Sequence, residues 1–223
     1  PIELDLSNCG LSVNGVNPVT KAISAGAAVN SLTLDMNGIF GELRPNPEYV
    51  KEADKFADEC DPFLAALKIS NIATLSLRST GIGPVTLRKL ATSLPAAVNS
   101  VTVDSTGKMS DQKTYTLTRG KDKIELTSKN LGPADINLIS AWLATDAGAA
   151  LNEVNVAFNQ IGSEGGIALR DALKTSNLKF LAIGKMYTSA GGAAVTRSQV
   201  TTGVTLSAGG RLIATTIKEG KPP

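Results

Sequence analysis

The chain carries twenty Asp and Glu against twenty-two Lys and Arg, and not one histidine in 223 residues. That absence decides much of the chemistry. Ser-His-Asp and Cys-His catalysis lack their base, imidazole-based zinc sites lack their ligand, and the usual switch near neutral pH is missing. Carboxylates, two thiols and a few arginines remain. Asp54, Asp58, Glu59 and Asp61 lie close together, but without the ligand order and central glycine of a calcium-binding loop. The glycine pairs at 165–166, 191–192 and 209–210 complete neither G-x-G-x-x-G nor a Walker loop, and Gly120-Lys121 lacks the preceding glycine. Cys60 stands between Glu59 and Asp61, whose charge disfavours a thiolate. Nothing here points to a catalytic centre, a metal or a cofactor.

Composition narrows the partners. A formal charge of +2 is nearly neutral for this length, whereas a nucleic-acid binder needs a dense basic surface. No apolar run approaches the length of a membrane span. Aromatic content is 4%, so the core is aliphatic. Two cysteines make no disulfide framework. None of the fourteen asparagines sits in a glycosylation sequon. Both facts lean toward a reducing, cytoplasmic setting and leave a secreted form open.

The elements that would position these side chains come from a repeat. An apolar-x-apolar-x-x-Asn-x-apolar pattern, preceded by another apolar residue, is clearest at Val29 to Ile39 and at Leu151 to Ile161. Alternation marks a short strand with one buried face. The Asn side chain can bond the backbone of the turn that leaves it. The first unit uses Leu4, Leu6, Cys9 and Leu11, with Cys9 expected to point inward. The second uses Leu32, Leu34, Asn37 and Ile39, a step of 28 residues. The third uses Ile72, Leu75, Leu77, Thr80 and Ile82, and the fourth Val98, Val101, Val103 and Thr106. The fifth uses Ile124, Leu126, Lys129 and Leu131. Lys129 cannot accept a bond, so this unit is expected to be irregular. The sixth uses Leu151, Val154, Val156, Asn159 and Ile161, and the seventh Leu178, Leu181, Ile183 and Met186.

A helix is expected after each turn. Leu87, Leu90, Ala91 and Leu94 have helical spacing, as do Ile136, Ile139, Trp142 and Leu143, and Ile167, Leu169, Ala172 and Leu173. Gly83-Pro84 and Gly132-Pro133 fit helix starts.

Leu32-Thr-Leu-Asp-Met-Asn-Gly-Ile39, Val154 to Gly166 and the long helical half of each unit resemble the leucine-rich repeat family, of the ribonuclease-inhibitor-like type. The resemblance covers roughly residues 1–188. It implies an α/β fold: a right-handed solenoid in a horseshoe arc of about seven repeats. Parallel strands would line the concave face and helices the convex face. It also implies protein binding in general.

Three stretches depart from the pattern. Near 41–62, Tyr49, Val50, Ala53 and Phe56 fall on one helical face, which predicts an extra helical turn on the convex side or a knob for a partner. Near 107–122, Thr114 to Thr118 and Lys123 to Leu126 alternate around Arg119-Gly120-Lys121-Asp122, which predicts a hairpin replacing a helix. The tail, 189–223, is β-rich, with a turn at 207–210, and reads as a cap on the last repeat. Leu4 is already a repeat position, so no cap is visible ahead of it, and either residues lie upstream or something else covers that edge.

Alternation places Glu3, Asp5, Ser31, Thr33, Asp35, Thr74, Ser76, Arg78, Ser100, Thr102 and Asp104 on the concave face. Ser7, Lys123, Glu125, Thr127, Glu153, Asn155, Ala157, Phe180, Ala182 and Gly184 belong to the same face. Acids outnumber bases there six to two. The expected contact residues are Asp5, Asp35, Arg78, Asp104, Glu125 and Glu153, and the expected partner is a protein with a basic surface. A second reading is a self-assembling filament or coat subunit, joined through its first strand and β-rich tail. A third is GTPase activation, for which Arg78 is the suitable residue type.

Overall fold

The computed structural model describes residues 2–184, 201–206 and 212–216. Each L-x-L segment forms a short strand, and each glycine-proline start opens a helix. The elements in order are β1 (Ile2–Asp5), α1 (Asn17–Ser24), β2 (Val29–Thr33), β3 (Glu42–Leu43), β4 (Val50–Glu52), α2 (Asp61–Lys68), β5 (Thr74–Ser76), α3 (Pro84–Ala91) and β6 (Ser100–Asp104). They continue as β7 (Thr114–Thr118), β8 (Lys123–Glu125), α4 (Pro133–Leu143), β9 (Glu153–Asn155), α5 (Gly162–Leu173), β10 (Phe180–Gly184), β11 (Thr201–Leu206) and β12 (Leu212–Thr216).

This is an α/β repeat fold with parallel strands. β1, β2, β5 and β6 pair in parallel, one strand from each of the first four units. β8, β9 and β10 do the same for the last three. The inward residues are the repeat leucines: Leu32, Leu34, Leu75, Leu77, Val101 and Val103 are fully buried, and one apolar cluster runs from Val16 to Leu181. β11 and β12 extend the second sheet antiparallel to β10 and to each other. Met186, the stretch at 195–200 and the turn at 207–210 lie outside the described residues.

The turn after each strand repeats in detail. Asn8, Met36, Ser79, Ser128 and Phe158 all have φ between 52° and 59°. Each immediately precedes the Asn position of its unit. Side chains with a Cβ rarely adopt this left-handed region, so the same reversal five times is a fold-level feature. Repeat four lacks it among the described residues. Its chain instead turns back as β7, antiparallel to β6, with Tyr115 and Leu117 filling the core opposite Val103 and Val101.

The irregular unit is therefore the fourth and not the fifth. Repeat five keeps its strand, its turn and its helix, because Asn130, one residue beyond Lys129, does the bridging. Its Oδ1 accepts the Lys108 N–H at 2.9 Å, and its Nδ2 donates to the Lys108 and Asp111 carbonyls. The expected hairpin is also re-partnered: β7 ladders with β6, and β7 and β8 belong to separate sheets. Layer spacing gives a reason. Without an α-helix in the fourth unit, α3 packs directly on α4, a step of about 10 Å. The row β5–β6–β7–β8 would span about 14 Å at ladder spacing, so strands and helices fall out of step.

The extra helical turn expected near Tyr49 is absent. β3 and β4 form a small antiparallel hairpin there, Tyr49 is exposed, and Lys51 and Lys55 both pair with Glu42. Asp54 (φ 59°) explains the conformation. Its carboxylate accepts the N–H groups of Gly83 at 3.0 Å, Val85 at 2.7 Å and Thr86 at 2.9 Å. A segment 30 residues away thus caps the orphan donors and positive end of α3. Two smaller expectations also change. Cys9 is exposed, because repeat one has no described neighbour on that side to bridge to. Ile167 is 52% exposed, since α5 turns Gly165, Leu169 and Leu173 inward instead.

Candidate protein-binding surface

The asparagines are fasteners between units. Asn37 Oδ1 accepts the Leu11 N–H at 2.9 Å, while its Nδ2 donates to the carbonyls of Leu6, Leu34 and Asp35 at 2.8, 3.0 and 3.1 Å. Asn159 does the same to Leu131, Leu126, Val156 and Ala157. Each therefore holds its own turn and grips the preceding unit. Thr80 supplies one such bond, to Leu77 O at 2.7 Å. These buried bonds fix how far apart successive rows of strand side chains stand.

The expected contact residues divide into two groups. Asp35 and Asp104 are taken up by the framework. Asp35 Oδ1 accepts the Ser76 hydroxyl at 2.7 Å and the Arg78 N–H at 2.9 Å, with Arg78 Nε 3.5 Å from Oδ2. Its side chain is only 13% exposed. Asp104 is 7% exposed. Its Oδ2 accepts the Ser79 N–H and its Oδ1 the Thr114 hydroxyl, both at 2.6 Å. The exposed position expected for Asp104 is thus corrected: β7 folds across it and covers it.

Asp5, Arg78, Glu125 and Glu153 stay on the surface. Asp5 is held below its ordinary range by the Ser7 hydroxyl and N–H. Arg78 is 46% exposed. Glu125 accepts the Thr127 hydroxyl and the Asn155 amide, the latter at 3.1 Å. Lys123 sits between Glu125 and Glu153, at 3.4 and 3.6 Å. β8 and β9 thereby display a preformed patch of two acids, one base and one amide. The expectation of a concave face richer in acids than bases missed that bonding, which alternation cannot encode.

Other chemistry is sparse. Both cysteines are free, and burial pushes the Cys60 thiol up to about 11 against the opposing effect of Lys89. An open cleft of about 390 Å³ lies where the first two turns meet the β3–β4 hairpin, with Met36, Leu43, Pro45, Pro47 and Phe56 among its walls. No group of three or more potential metal ligands occurs among the described residues. None of their helices is long and apolar enough to cross a membrane.

The inter-unit asparagine and the strand–turn–helix around it are what the comparison with known proteins recovers. Residues 151–169 match the leucine-rich repeat family model. The match covers β9, the Asn159 turn and most of α5, and supports a leucine-rich repeat family for this chain. No curated protein matches the chain.

Proposed function

We propose that the chain is a non-enzymatic leucine-rich-repeat module that binds another protein through the exposed face of its strands. Leucine-rich repeats generally mediate protein–protein interaction, and the solenoid geometry of the ribonuclease-inhibitor-like type is part of this reading. The observation that carries it is the patch of Lys123, Glu125, Glu153 and Asn155, half exposed and already hydrogen-bonded. Pre-ordered side chains lose less entropy on binding, and their charges steer a partner of opposite sign. Asp5 and Arg78 extend the surface, and β11–β12 cap the last repeat. The test is capture of a partner by the whole chain, compared with Glu125→Lys/Glu153→Lys. Loss of the captured protein, with an unchanged melting temperature, supports the surface. Undiminished capture removes it.

A second reading, self-association, draws on strand edges. β1 and β12 are each paired on one side only among the described residues. Ile2 is 51% exposed, and unpaired edges recruit further strands. Light scattering over a concentration series decides this. A constant mass of one chain, 23.0 kDa, removes it; mass that climbs with concentration supports it.

A further inference from the structure

We propose that β7 and β8 are the two arms of a hairpin that opens and closes, and that this structure shows it open. The evidence is the direction of the backbone groups. β6 and β7 pair as Ser100–Thr118, Thr102–Thr116 and Asp104–Thr114. The Arg119 N–H donates to Asn99 O and the Ser105 N–H to Lys113 O. Bonds in an antiparallel ladder alternate, so residues 113, 115, 117 and 119 face β6. Thr114, Thr116 and Thr118 therefore aim their N–H and C=O groups away from it. On the other side, Leu126 and Ser128 donate toward β9, to Asn155 O and Ala157 O. Lys123, Glu125 and Thr127 therefore aim their N–H and C=O groups away from β9. Each strand is thus the end of its sheet, with one edge unpaired among the described residues and no ladder between the two.

The register for closing is already set. The four residues Arg119–Asp122 would place Thr118 opposite Lys123, Thr116 opposite Glu125 and Thr114 opposite Thr127. Those are the residues whose backbone groups lie on the unpaired edges. The same register sets Leu117 beside Ile124 and Tyr115 beside Leu126, and all four are buried on the core face. A slip of one residue would break that agreement. Gly120, with φ 76°, supplies the left-handed position that a tight connection needs. At the far end, Lys113 Nζ donates to Ser128 O at 3.0 Å. That contact joins two residues opposite each other in the same register.

Closing would merge the two sheets into one and draw α4 away from α3 by about 4 Å, the difference between the strand and helix steps. It would bring Thr116, which shares a 2.9 Å hydroxyl contact with Thr102, level with Glu125 and Asn155. A partner lying across that row would select the closed form, as any ligand does that binds one of two states better. The inference goes beyond the binding reading and stands without it.

Nuclear magnetic resonance on the whole chain tests it. The closed form gives Hα–Hα contacts between Leu117 and Ile124 and between Tyr115 and Leu126. It also slows amide exchange at Thr116, Thr118 and Glu125 by about tenfold or more relative to Lys121. Thr116→Pro removes a donor of the unpaired edge but none of the donors facing β6. It should abolish the slowing at Thr118 and Glu125 while Val101 and Val103 stay protected. Absence of both Hα–Hα contacts in the unmutated chain, with Thr116 and Glu125 exchanging as fast as Lys121, overturns the proposal, whether or not the proline variant folds.

Discussion

Asp35 and Asp104 hold the third repeat from its two sides: the Arg78 N–H donates to Asp35, and the next N–H, of Ser79, donates to Asp104. One acid comes from the unit before and one from the unit after. The N–H at the matching left-handed position of other turns, in Asn8, Met36 and Ser128, donates to a backbone carbonyl of the next unit, but that of Ser79 has no backbone acceptor. The Asp104 carboxylate takes that place. Acids that alternation assigns to a ligand are here part of what fastens three repeats together.

Asp104→Ala should accordingly lower stability. It leaves a buried N–H and the Thr114 hydroxyl without their acceptor, at a cost of about 1–3 kcal/mol. Asp35→Ala should cost less, since water reaches Arg78. Chemical denaturation of both variants measures this. Equal, negligible losses would return Asp104 to the list of free surface acids.

Asn37→Ala and Asn159→Ala should each cost about 2–3 kcal/mol, because each removes four bonds and strands an N–H of the preceding unit. Thr80→Val, which removes one bond to Leu77 O, should cost about 1 kcal/mol. The ordering is read from midpoint shifts in urea at constant slope. A Thr80 variant as damaging as the Asn variants would contradict the fastening role.

Gly81→Ala should be among the most damaging changes in the chain. Gly81 has φ 77°, and a Cβ there would lie 2.4 Å from the backbone nitrogen of Gly41. Backbone, unlike a side chain, cannot swing aside, so a loss of about 3 kcal/mol or more is expected. Gly120→Ala, with a similar φ and open space around it, should cost only about 1 kcal/mol. Thermal melts of the pair separate close packing from backbone strain.

Asp135 should make stability depend on pH in an unusual direction. Burial raises its carboxyl above the ordinary range. The Thr106 hydroxyl and N–H and the Gly132 N–H, at 2.7–2.9 Å, offset this only in part. A folded value above the unfolded one means a contribution present below about pH 4, the unfolded value, and lost as pH rises through the folded one. Relative to Asp135→Asn, the unmutated chain should therefore gain stability between pH 7 and pH 4. Denaturation midpoints of the two across that range test it. A difference that stays flat, or grows in the other direction, refutes the assignment.

The sequence by itself determined the repeat strands, most of their inward residues and two of the five helix starts among the described residues. Leu32 and Leu34, or Val154 and Val156, carry a period of two that only a half-buried strand satisfies, and Pro84 and Pro133 are tolerated only in a helix's first turn. Those are local facts, set by neighbours within a few residues. Tertiary structure decided what lies between repeats. That Asp54 caps α3, that Asn130 rather than Lys129 bridges backward, and that β7 covers Asp104 and leaves β8 all depend on partners about 20 to 30 residues away or on another strand. Alternation tells which face a side chain takes. It says nothing of which neighbouring chain stands opposite, so the same acid reads alike whether it meets solvent or a backbone N–H.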